Sequence, residues 1–148
     1  MADYPLTKEE FDAIYHKVPR LTVEVIVQTD RGVALTLRSI EPSAGQWHLP
    51  GGTVYYGESF EDTVKRIAKK ELNIEVRACK NIGYIEYPEH VKSGYGDPRG
   101  LAFLVTDFSG EPTPDEEADE VQWFKTVPEK IHPHQDDFLV EHQLLTRE

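Results

Sequence analysis

The stretch LPGGTVYYGESFEDTVKRIAKKELNI, residues 49–74, constrains the fold more than any other part of the chain. It opens on Pro50, which has no backbone N–H to give a sheet, and continues with Gly51 and Gly52, which have no side chain to pack. This opening reads as a turn rather than ordinary strand. Ser59 then stands as a helix N-cap, with Asp62 in the capping-box position as a shorter stand-in for glutamate. Phe60, Val64, Ile67, Ala68 and Leu72 recur at helical spacing and are expected on the core face of that helix. A diglycine by itself is satisfied by a plain turn. Placed before a helix, it also lets backbone approach a ligand closely, and a helix N-terminus favours anions.

The flanking segments supply the rest of the domain. LTKEEFDAIYHKV (6–18) repeats Phe11, Ile14, Tyr15 and Val18 at helical spacing, with Thr7 as N-cap and Pro19 as stop. LTVEVIVQ (21–28) and VALTLR (33–38) alternate as strands, joined by Asp30-Arg31-Gly32 into a hairpin. Residues 39–45 read as a loop and QWHLPGG as a short strand ending in the glycine turn. Residues 74–87 read as a strand broken near 81–83, and 88–100 as a loop long enough to carry function. Residues 101–108 read as a buried strand, 109–119 as a loop, 120–124 as a strand and 135–145 as a last helix. Mostly antiparallel strands, interrupted by one central helix and closed by another, predict an α+β fold. The expected form is a mixed sheet between helices, in a single domain over residues 1–148.

A net charge of -11 argues against a nucleic-acid polymer as partner, but not against a small nucleotide, because a divalent cation can bridge acidic protein and phosphate. No run of about 18 apolar residues predicts a membrane span. Met1 to Arg20 lacks the apolar core of a signal peptide, and the single Cys79 excludes an internal disulfide, so a cytoplasmic setting is expected.

Beyond the diglycine, Gly52, Glu58, Arg66, Ala68, Glu71 and Ile74 are spaced as in the signature of the Nudix hydrolases, which the chain resembles. QWHLPGG is similar to that family's lead-in, and the order of strands and helices agrees with its fold. Three departures stand out: Ile67 and Lys70 replace glutamates, and Asn73 replaces the terminal glycine. In the full motif three carboxylates share one helix face. Here that face presents Ile67, Lys70 and Glu71. Two readings follow. In one, a single metal is kept at Glu71 and the Gly51 carbonyl, with Lys70 as a fixed cation beside the phosphates. In the other, the scaffold binds without catalysis.

The GDP-mannose mannosyl hydrolase branch lacks the same two glutamates, and the chain is similar to it. The likeness covers scattered positions: EEF, Pro19, Glu24 in place of an aspartate, Arg38, AGQW, PGG, PDEEADEVQWF and IHPH. This resemblance implies one Mg²⁺, or Mn²⁺, held by Gly51, Glu71 and Glu117, the last in place of a glutamine. Glu117 also resembles the late-loop glutamate that serves ordinary Nudix enzymes as ligand or base, with Glu116 as its rival. The branch's catalytic histidine corresponds to Ala118 here, so attack at the sugar carbon needs a displaced base, His90 or His134. Arg66 is implied as the arginine that orients motif carboxylates. Arg38, Glu24 and Gly52 are implied as substrate-binding, and Arg38 equally suits a structural salt bridge.

HPHQDD (132–137) offers two histidines and two aspartates, but zinc needs a third or fourth convergent ligand, and a helix start accounts for the aspartates. The expectation is thus a Mg-dependent hydrolase of a nucleoside diphosphate linked to another group, a nucleotide sugar being favoured. Its catalytic residues would be Glu117, Arg66 and Lys70, its partner a small nucleotide, and its oligomeric form a possible homodimer built on the N-terminal helix.

Overall fold

The computed structural model describes residues 4–39, 44–114 and 118–147. Helix α1 (Lys8–Tyr15) is followed by β1 (Arg20–Thr29), β2 (Gly32–Arg38), β3 (Trp47–His48) and β4 (Gly51–Thr53). Then come α2 (Phe60–Leu72), β5 (Glu75–Glu86), α3 (Pro88–Lys92), β6 (Pro98–Ser109), β7 (Ala118–Phe124) and α4 (Gln135–Glu141). The seven strands form a mixed sheet with the path β3-β2-β1-β6-β5, and β4 and β7 pair with β1 and β2. The fold is α+β. β1 and β2 close as the expected hairpin, Thr29 opposite Gly32, whereas β1 and β6 run parallel from Arg20/Pro98 to Val27/Val105.

β1 lies at the centre and is buried on both faces, which is why its sequence is almost continuously apolar from Val23 to Val27. Val23, Val25 and Val27 pack with Val64, Ile67, Ala68 and Leu72 of α2. Ile26, on the opposite face, packs with Leu49, Tyr87 and with Phe138 and Leu139 of α4. On that second face Ile26 is preceded by the polar residues Glu24, Thr22 and Arg20. Among the described residues no helix is long and apolar enough to cross a membrane.

Several elements differ from their sequence reading. The Pro-Gly-Gly segment is not a turn: Gly51 and Gly52 are in β4, opposite Glu24 and Val23, and neither has a left-handed φ. The long loop 88–100 holds α3 and the first residues of β6, which starts at Pro98 because it pairs with β1. α4 stops at Glu141. Thr7 caps α1 through a complete capping box with Glu10, but α1 buries none of its residues, and Ile14 and Val18 are exposed. Phe60 is 41% exposed, at the first turn of α2, and Thr63 takes the buried place that the periodicity gives to Phe60. Asn73 closes α2 with φ 55°, the left-handed conformation for which asparagine is the usual substitute for glycine. The missing motif glycine is therefore structurally compensated.

Candidate functional site

The two glycines are required by what lies against them. A Cβ on Gly51 would come within 2.6 Å of Glu24 Oε2 and 2.8 Å of the Val23 carbonyl; on Gly52 it would lie 3.2 Å from Ile67 Cδ1. β4 bonds to β1 through Val25 N–H to Pro50 O (2.8 Å) and Val54 N–H to Leu21 O (3.0 Å). The strand alternation turns the carbonyls of Gly51 and Thr53 to the other side of β4. Thr53 O indeed accepts from Arg66 Nη2 at 2.8 Å, on the α2 side. The register of β4 on β1 likewise turns the Gly51 carbonyl away from β1.

Arg66 and Glu58 fasten the loop between β4 and α2. Arg66 Nε donates to Glu58 Oε2 (2.8 Å) and Nη2 to Oε1 (2.9 Å), while its guanidinium lies 3.6 Å from the centre of the Tyr55 ring. Glu58 Oε1 also accepts from Thr63 Oγ1 and the Tyr55 N–H. The Arg66 guanidinium, assisted by these donors, holds the Glu58 carboxyl down to about 2. Both side chains are largely buried and neither lines the cleft described next.

That cleft has a volume of about 470 Å³. One wall carries Gly51 and Gly52 with Lys70 and Glu71 from the end of α2; another carries Arg38 from the end of β2. Glu24 joins them from β1. Gly51, Gly52, Lys70, Glu71, Arg38 and Glu24, all singled out by sequence, thus line one space. Arg66 does not; its contacts make it a positioning residue for Glu58. Ile67 occupies a motif carboxylate position but is 2% exposed, packed beneath Gly52. Glu117 and Glu116 lie outside the described residues. Ala118, next in the chain, begins β7 as the register partner of Arg38. Among the described residues no three His, Cys, Asp or Glu side chains converge in a metal cluster.

At the inner end of the cleft sequence reasoning names Glu24 and, as a displaced base, His90, but it gives no role to Arg20, Thr22, Tyr87 or Gln135. Glu24 is 7% exposed, and its Oε1 accepts from the Tyr87 hydroxyl at 3.0 Å. Tyr87 accepts from Gln135 Nε2 (3.0 Å), and Gln135 Oε1 accepts from the Leu49 N–H (2.8 Å). Burial raises the Glu24 carboxyl to about 8, against the opposing pull of the Tyr87 bond and the Arg20 charge, and burial raises the Tyr87 phenol as well. His90 and His132 stack at the same end with Nε2 atoms 3.2 Å apart. His132 Nδ1 donates to the Pro133 carbonyl, so its Nε2 accepts from His90 Nε2–H. Burial lowers both imidazoles, and it lowers His48, also in the cleft, to about 4. His134 instead binds Glu89 in a smaller neighbouring cavity. A signal for this region was present: Arg20, Thr22 and Glu24 are polar at alternate positions of an otherwise apolar strand.

Comparison with known proteins gives a consistent picture. Residues 18–139 match the model of the NUDIX domain. The chain is 31% identical over 145 residues to the low-salt glycan biosynthesis protein Agl8 of Haloferax volcanii, covering 93% of each chain. It is 29% identical over 110 residues to an ADP-ribose pyrophosphatase of Methanocaldococcus jannaschii, covering 72% of this chain and 62% of that one. Among solved structures, a MutT NUDIX hydrolase from Burkholderia pseudomallei superposes with a TM-score of 0.75 at 26% identity, covering 84% of this chain and 97% of the other.

Proposed function

This chain belongs to the NUDIX family, and on that premise we propose that it hydrolyses a nucleoside diphosphate linked to another moiety, a nucleotide sugar, with Mg²⁺ as cofactor. The observation that carries the reading is the convergence of Gly51, Gly52, Lys70, Glu71 and Arg38 on one cleft. The donor set fits a hard cation: a backbone carbonyl at Gly51, turned away from β1, and a carboxylate at Glu71 are oxygen ligands of the kind magnesium and manganese take. Gly51 and Glu71 would hold the ion, Glu117 completing the set, and the ion would supply Lewis-acid polarisation of the phosphoryl oxygens.

The remaining work falls to the chain itself. Arg38 offers a planar fork of donors to a diphosphate, and Lys70 adds a cation where the full signature has a carboxylate. Both neutralise charge as it develops on the leaving phosphate. Glu117 is the proposed base for the attacking water. Arg66 holds Glu58 and, through the Thr53 carbonyl, the end of β4, which keeps the Gly51 backbone in place.

A second reading rests on His90. Burial keeps its imidazole in the neutral, basic form, and it lines the same cleft as Glu24 and Tyr87. In that reading His90 is the displaced base for attack at the sugar carbon. A divalent-metal screen of nucleoside diphosphate derivatives with product identification separates the two. A nucleoside monophosphate product is expected; free sugar with nucleoside diphosphate would replace the first reading by the second. Binding without turnover would leave a non-catalytic nucleotide module.

A further inference from the structure

We propose that Arg20 and Thr22 form an oxyanion-binding subsite of the cleft, taking an anionic group that the substrate carries in addition to its diphosphate. The inference rests on the nucleoside diphosphate reading for the rest of the ligand, and it concerns residues to which neither the signature nor its known departures assign a role.

Arg20, Thr22 and Glu24 are alternate residues of β1, so they share one face of the strand, and all three line the cleft. Their side chains leave the backbone about 6.6 Å apart in succession. Arg31, Arg66, Arg77, Arg99 and Arg147 each meet a carboxylate at 2.6–2.9 Å. Arg20 makes no ion pair among the described residues. Its side chain is fixed by one bond, Nη1 to Thr53 Oγ1 at 2.8 Å, and by the Phe11 ring 5.3 Å from its guanidinium carbon. A guanidinium has five N–H donors, so this leaves a pre-positioned set with no anionic partner.

Thr22 supplies an independent observation. It is 4% exposed, and its Oγ1 is buried without a hydrogen-bond partner among the described residues. A buried hydroxyl in that state is rare in folded proteins and calls for an explanation; a ligand group in the cleft provides one. The neighbouring Glu24 carboxyl is not the anionic partner: it forms no ion pair with Arg20 among the described residues, and its Oε1 accepts from the Tyr87 hydroxyl at 3.0 Å instead. The subsite therefore combines one cation and one hydroxyl donor, the chemistry that binds a carboxylate or phosphate oxygen.

The test is a calorimetric titration in EDTA, where hydrolysis is not required, with UDP-glucose, UDP-glucuronate and UTP, and with GDP-mannose, GDP-mannuronate and GTP. Within the base that binds, the wild type is expected to take an anionic member at least about 10-fold tighter than the neutral sugar, the scale of one charge-assisted bond. Arg20→Ala should bring that ratio to within about 2-fold, and Thr22→Val should narrow it by about 3-fold. Arg20→Lys, which keeps the charge and loses the fork, should retain part of it. An Arg20-dependent preference for the uronate identifies a carboxylate as the group; one confined to the triphosphate identifies a phosphate. Equal affinity for neutral and anionic members, or a preference that survives both Arg20→Ala and Thr22→Val, overturns the subsite. Failure of every ligand to turn over in magnesium would instead remove the hydrolase reading and leave the binding ratio as measured.

Discussion

Glu71 and Lys70 adjoin one another at the end of α2, and both face the cleft that Gly51 and Gly52 line. Glu71 is the one carboxylate left among the motif positions on that helix face, so Glu71→Gln should lower metal-dependent turnover by at least about 100-fold. The thermal midpoint should stay near that of the wild type; unchanged turnover would remove the metal site. Lys70 is exposed at its backbone position yet lines the cleft, as a cation that contacts substrate phosphate must. Lys70→Ala is expected to raise KM by more than about 5-fold, the loss of one charge-assisted hydrogen bond. A steady-state titration with KM unchanged would return Lys70 to the helix surface. Neither effect needs a change in fold, which separates these residues from Ile67.

At the scale of the element, α2 shows why the signature could lose a carboxylate without losing the helix. Ile67 packs beneath Gly52 and belongs to the core cluster of Val23, Val64 and Leu72. Restoring the motif residue by Ile67→Glu would bury a charge in that cluster, and urea unfolding should show a loss of about 3 kcal/mol or more. A stable, more active variant would show that the core tolerates the full motif. The helix start depends on a different contact. Glu58 is bound to Arg66 in a bidentate pair, and its carboxyl is held at about 2. A depressed carboxylate stabilises the fold above its unfolded value near 4.5 and loses that contribution as the pH falls toward 2. Arg66→Ala should therefore destabilise the protein at pH 6 and differ least from the wild type near pH 2. An equal deficit at both pH values would mean that the pair contributes no pH-linked stability.

The molecule as a whole combines titrations of opposite sign. His48, His90 and His132 are lowered by burial, so their contributions are present above about 6.5 and fade as the pH falls. Glu24 is raised to about 8; the native state holds its proton more tightly, and the associated stability is lost as pH rises from its unfolded value through 8. Between about 6.5 and 8 the Glu24 contribution has no histidine opposing it, and stability should fall by up to about 1.4 kcal/mol per pH unit. Unfolding curves of Glu24→Gln should be flatter across this window; an identical slope would discount the buried carboxyl. The sequence alone determined the α+β class, the hairpin, the capped helix and the spacing of Gly52, Glu58, Arg66 and Glu71, because period, turn chemistry and motif spacing are local properties of the chain. It misread Gly51 and Gly52 as a turn, because the demand for glycine comes from Glu24, Val23 and Ile67, two of them more than 20 residues away on β1. It placed Phe60 in the core and left Arg20, Thr22, Tyr87 and Gln135 out of the site. Those assignments depend on which strand lies beside which, and only the parallel pairing of β1 with β6 and the docking of α4 bring them to one cleft.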